Sequence, residues 1–150
     1  MQGAKPISII SIEREPVKGE AGLTVMADLI IDQVNYEEYD SLLLTGCMDI
    51  FNVLTIPLYT DFIQNISKQD NFIIASISSS PVLLAKAGLL KNKNFTVGLV
   101  EEARSASGVF IDANYFDDLV VQDGNLLTAR GSAFIEFGIR FGELLNLKFE

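Results

Sequence analysis

The stretch Phe72 to Gly88 constrains the fold of this chain more than any other. Phe72 to Ile77 is a short, apolar, β-rich run; Ser78-Ser79-Ser80 gives almost no room for a loop; and Pro81 opens the apolar run Val82 to Ala87, which Gly88 stops. A buried strand that turns at once into a helix with proline in its first turn and glycine after its last is the unit of a layered α/β fold. Around it, Leu42-Leu43-Leu44 is too short and too uniformly apolar for a surface helix and reads as a parallel strand buried on both faces. Pro57 to Lys68 reads as a helix with Leu58, Phe62, Ile63 and Ile66 on one face.

The flanks are less regular. Ile7 to Ile12 reads as a strand, and Leu23 to Met26 with Asp28 to Ile31 as a short hairpin. Asp32 to Asp40 is a polar turn with one helical turn in it. Towards the C-terminus the spacing predicts a strand at Phe95 to Val97 and a helix over Glu101 to Ser107. A hairpin of Leu119 to Gln122 with Leu126 to Ala129 turns about Asp123-Gly124. A last helix is capped by Ser132, with Phe134, Phe137, Phe141 and Leu144 inside and Glu136 paired with Arg140 outside. The 150 residues carry no linker, repeat or low-complexity tract, so residues 1–150 make one domain. Such a domain buries roughly two-thirds of its unfolded surface. Its 10 Phe, with many Ile and Leu, supply the core without metal or disulfide.

Composition excludes several kinds of chemistry. There is no histidine, which removes Ser-His-Asp and Cys-His pairs, an imidazole base and zinc sites built on histidine. Net charge is −9, so phosphate backbones and anionic membranes are repelled and neither nucleic acid nor membrane is expected as a partner. The single cysteine, Cys47, cannot form an internal disulfide, and no apolar run reaches the roughly 18 to 20 residues of a membrane span. A cytoplasmic setting is expected. No carboxylate spacing specifies a metal loop, including the late cluster Asp112, Asp117 and Asp118, and no cofactor is expected. Glu101, Glu102 and Arg104 read as solvated helix charges.

Candidate chemistry lies at Ser78. A strand end, a residue held in a strained turn and a following helix are the requirements of a nucleophile elbow, with the small residues Ser76 and Ser80 on either side of it. The alternative is that these serines only cap the helix, with Ser80 as N-cap before Pro81. Cys47 has two readings as well: a thiol near Ser78, or a small hydrophobe filling the place of a glycine.

Taken together, Tyr39-Asp40-Ser41-Leu42-Leu43-Leu44-Thr45-Gly46-Cys47, Ile74-Ala75-Ser76-Ile77-Ser78-Ser79-Ser80-Pro81, and Asp123-Gly124-Asn125-Leu126-Leu127-Thr128-Ala129-Arg130-Gly131 with Glu136-Phe137 resemble the ThiJ/PfpI superfamily. The order and spacing match over nearly the whole chain. The resemblance implies a flavodoxin-like three-layer α/β sandwich with a mostly parallel sheet, of the class I glutamine amidotransferase-like kind. The activities known in the family are peptidase, glyoxalase, deglycation, chaperone and hydratase reactions. Family motifs read Y-D-x-(apolar)-x-(apolar)-P-G-G and A-x-C-x-G/S-P, with the cysteine as nucleophile. Ser78 falls on that cysteine and Cys47 on the second glycine of the P-G-G turn, whose amide helps form the oxyanion site. The partner histidine falls near Gly98 and is missing.

The family's acidic residue follows a first strand. Here Met1 to Ala4 resembles the end of the first helix and Ile7 to Ile12 the second strand, so the usual first strand and helix are expected to be absent. The sequence therefore predicts a non-catalytic binding or interaction domain, a pseudoenzyme, for an unknown small molecule or protein, with a pocket at Gly46, Ser79 and Gly98. The alternatives are a hydrolase or glyoxalase-like enzyme working through Ser78 or Cys47, or a truncated product without function of its own. The sheet is expected to close its missing place by pairing Ile7 to Ile12 with Leu42 to Leu44, or to be covered by a second copy in a homo-oligomer.

Overall fold

The computed structural model describes residues 5–148. The central sheet has four strands in the order β5-β6-β10-β9, taking β5 as Ser41–Leu44, β6 as Ile73–Ile77, β9 as Val120–Asp123 and β10 as Leu126–Ala129. β5 and β10 both run parallel to β6, and β9 turns back antiparallel to β10 through Gly124, at φ +62°. The smaller ladders pair β1 (Ile10–Ser11) with β4 (Leu29–Ile30), β2 (Val17–Lys18) with β3 (Thr24–Val25), and β7 (Asn94–Phe95) with β8 (Asn114–Tyr115). The helices are α1 (Ile50–Val53), α2 (Pro57–Ile66), α3 (Pro81–Lys86), α4 (Glu101–Ser107) and α5 (Phe134–Leu144).

Strand alternation divides the core between the two faces of the sheet. Leu42, Ile74 and Leu126 share one face and pack with Phe62, Ile63 and Ile66 of α2 and Val82, Leu83 and Leu84 of α3. Ala75, Leu127 and Ala129 take the other, under Phe137 of α5. The helices thus lie on both sides of a mostly parallel sheet, the arrangement expected from the sequence. β7 is pinned beside the hairpin by Asp123, which accepts from Lys93 Nζ and the Asn94 amide, both at 2.9 Å. Thr96 continues this attachment by donating its amide to Thr128 Oγ1 at 3.0 Å. This attachment carries Val97 and Gly98 to the carboxyl end of the sheet.

Several local expectations are corrected. Ile7 to Ile12 contributes only Ile10–Ser11, which pairs with Leu29–Ile30 and not with Leu42 to Leu44. The early hairpin exists, but its arms are Val17–Lys18 and Thr24–Val25. β5 is buried on one face only: Leu42 is 7% exposed and Leu43 43%, and among the described residues no strand pairs with its outer edge. Ser132 sits in a 3-10 turn and does not cap α5, Phe134 points outward at 64% exposure, and Arg140 pairs with Glu143 at 3.3 Å instead of Glu136. Met1 to Ala4 lie outside the described residues. Among the described residues, no helix is long and apolar enough to cross a membrane.

Candidate functional site

Ser78 follows directly on β6 with φ +66°. The other non-glycine residues in the left-handed region are asparagine or aspartate, whose short polar side chains tolerate it, so Ser78 is the one serine held there. A residue so placed costs of order 1–3 kcal/mol, which the surroundings must supply. They do so through the backbone. The Ser78 amide donates to Ala129 O at 2.9 Å, and the Gly98 amide donates to Ser78 O at 2.7 Å.

Three glycines close around this residue: at Gly46 a Cβ has no room, and at Gly98 and Gly131 it would be tight. A Cβ on Gly46 would stand 2.7 Å from Ser78 Cβ, one on Gly98 3.2 Å from the Ser78 backbone, and one on Gly131 3.2 Å from Ser78 Oγ. Gly46 and Gly98 thus both stand against Ser78. Gly131 belongs to the same ring although local sequence reading did not select it as a site residue; the close approach of a loop from the far end of β10 is visible only in three dimensions. Among the described residues, nothing hydrogen-bonds the Ser78 hydroxyl.

Ser80 takes the N-cap position of α3 with Pro81 in its first turn, as the capping alternative has it, but its hydroxyl makes no capping hydrogen bond. Ser80 is fully buried, and its Oγ lies 2.9 Å from Leu44 O, 2.8 Å from Ile77 O and 2.7 Å from Ser76 Oγ, linking the ends of β5 and β6. Ser79 Oγ donates to Cys47 O at 2.7 Å and accepts from the Cys47 amide at 3.0 Å. That amide is therefore already engaged. Burial pushes the Cys47 thiol above its ordinary pKa; a hydrogen bond from the Asp49 backbone opposes this, and the charges of Glu20 and Asp49 add to it. The thiol is accordingly protonated at neutral pH.

From Gly98 a cleft of about 600 Å³ opens between α4 and the loops after β8 and β10. Arg130 Nη2 donates to the Tyr115 hydroxyl at 2.6 Å and to Asp117 Oδ1, and that hydroxyl donates to the same Asp117 oxygen at 3.0 Å. The Arg104 guanidinium lies 3.6 Å over the Tyr115 ring, so it is not the freely solvated helix charge its sequence context suggests. Hydrogen bonds from Tyr115 and then Arg130 hold the Asp117 carboxyl below the usual carboxylate range. Among the described residues, no group of three or more Cys, Asp or Glu side chains converges as a metal site would require, and Asp112 and Asp118 do not join Asp117 in one.

The chain is similar to known proteins in sequence and in fold. A deglycase of Thermococcus kodakarensis is 30% identical over 126 residues, covering 83% of this chain and 72% of its own. A deglycase of Pyrococcus horikoshii matches at the same identity and coverage. Among solved structures, a ThiJ/PfpI domain protein from Brachyspira murdochii superposes with a TM-score of 0.81 at 23% identity, over 93% of this chain and 79% of its own. The DJ-1/PfpI sequence profile matches residues 2–144. An elbow serine ringed by backbone at the end of a parallel strand is thus set in a flavodoxin-like frame, and the chain belongs to the DJ-1/PfpI family.

Proposed function

We propose that this chain is a binding domain of the DJ-1/PfpI family that receives a small molecule in the cleft beside Ser78 and does not turn it over. The observation carrying this reading is the contrast at Ser78. The strained elbow backbone is retained, while among the described residues no base contacts the hydroxyl. A serine hydroxyl is a poor nucleophile until a base takes its proton, and the Cys47 thiol, raised by burial, is no substitute. The single cysteine fits a cytoplasmic setting. Self-association with a second copy is part of the reading, supported by the outer edge of β5, unpaired among the described residues, and by Leu43 on its open face, and light scattering over a tenfold dilution series tests it.

A catalytic reading is favoured by one observation, the name deglycase on relatives about 30% identical. One experiment separates the two. Methylglyoxal consumption and ester hydrolysis are measured for the native chain, Ser78→Ala and Cys47→Ala. All three are expected at background; turnover by the native chain that either substitution abolishes overturns the binding-domain reading.

A further inference from the structure

Four charged side chains line the cleft: Glu101 and Arg104 from α4, Asp117 from the loop after β8, and Arg130 from the end of β10. Their formal charges cancel, but their attachments are unequal. Arg130 Nη2 and the Tyr115 hydroxyl converge on a single oxygen of Asp117. Arg130 Nε is buried and has no partner among the described residues, although a guanidinium fork presents that N–H beside the terminal nitrogens and suits both oxygens of a carboxylate. Asp117 uses only one of its oxygens here, and its side chain is 84% exposed against 30% for Arg130. The carboxylate is thus the solvent-facing member of the trio's ion pair, and the guanidinium the part-buried one.

We infer that the trio is a carboxylate-recognition site in which Asp117 stands in for the carboxylate of a ligand. The inference rests on the cleft being the ligand site proposed above and adds the class of ligand: a small monocarboxylate. With Asp117 turned out to solvent, Arg104, Arg130 and Glu101 leave one net positive charge to be met. One carboxylate answers it, whereas a second negative charge would face Glu101. The incoming carboxylate accepts from Arg130 Nη2 and the Tyr115 hydroxyl with one oxygen and offers the other to Arg130 Nε. Arg104, stacked on Tyr115, keeps the ring in place and adds its charge.

The test is a titration of the full chain with acetate, acetamide and inorganic phosphate, followed by NMR through the Nε–H signals of Arg130 and Arg104. Acetate is expected to shift the Arg130 signal saturably and acetamide to leave it unmoved. Asp117→Asn, which removes the competing charge, is expected to bind acetate roughly two- to five-fold tighter, the worth of one exposed ion pair. Arg130→Gln is expected to abolish the acetate-dependent shift of the Arg104 signal; should that variant fail to fold, the Asp117→Asn and acetamide arms decide alone. Unchanged or weaker acetate binding by Asp117→Asn overturns the stand-in role, and phosphate binding tighter than acetate overturns the monocarboxylate class. Acetamide binding as well as acetate removes the carboxylate preference while leaving the cleft a binding site, so that failure differs from one in which Ser78-dependent turnover is found.

Discussion

Ser79 Oγ bridges both backbone polar groups of Cys47, lying 2.7 Å from its carbonyl oxygen and 3.0 Å from its amide nitrogen. One hydroxyl thereby fastens the loop after β5 to the elbow after β6, 32 residues away in sequence. Ser79→Ala leaves both Cys47 groups short of a partner in a part-buried place. A loss of about 1–3 kcal/mol in urea unfolding is expected. A variant as stable as the native chain would show that the bridge contributes nothing.

Gly46→Ala tests the closeness of that same loop. The new Cβ would meet Ser78 Cβ at 2.7 Å and the Ser79 amide nitrogen at 2.9 Å, and backbone atoms cannot swing aside as a long side chain can. The expected cost is at least the roughly 1–3 kcal/mol of ordinary overpacking. Gly138→Ala, where a Cβ meets nothing within 4 Å, is the matched control and should be neutral or mildly stabilising, because alanine suits a helix interior better than glycine. Equal losses at both positions would sink the steric argument.

Cys47 should alkylate slowly at neutral pH. Burial raises its pKa, so the reactive thiolate is scarcer than in a free thiol, and the iodoacetamide rate should rise only in alkaline solution. The same shift has a stability sign. The unfolded thiol loses its proton first as pH rises, so this residue's contribution is complete below the unfolded pKa and declines between the unfolded and folded values. Fast alkylation at pH 6 contradicts the placement of the thiol.

The Asp117 carboxyl is expected to titrate below the ordinary range, and Tyr115→Phe should move it upward, since the Tyr115 hydrogen bond is the largest cause of its lowering. A depressed acid stabilises above its unfolded pKa, and that contribution is lost as pH falls through the folded one. Carboxyl-detected NMR titration at low and high salt reads both effects. An unchanged midpoint in Tyr115→Phe would separate Asp117 from the phenol.

How legible each part was depended on whether its cause was local. Ser78 was readable because strand, turn, Pro81 and Gly88 follow one another directly, and α4 keeps its expected bounds because Gly108, at φ +62°, ends it locally. Between residues 5 and 40 the places of β1, β3 and β4 were readable but their pairing was not: the strands are two residues long, and Ile10 packs against the main core cluster from a ladder that no alternation specifies. Ser132 carries a capping residue's chemistry, but the chain enters α5 through a 3-10 turn that leaves it none of that work. The cleft was hidden for a related reason. Arg104, Tyr115, Asp117 and Arg130 come from three separate segments, and each taken alone looks like an ordinary surface residue.

Ser78 itself is held by main chain: Ala129 O, the Gly98 amide and three side-chain-less neighbours, with its own hydroxyl taking no part among the described residues. Position 78 therefore works as a socket whose occupant can be exchanged while the socket stays. An unbranched side chain of similar size, as in Ser78→Cys, inherits the half-buried, strained setting without rebuilding its walls, whereas a β-branched one is refused by the positive φ. In a fold arranged this way, the atom presented at the strand end can change, sulfur for oxygen, while the frame that presents it stays.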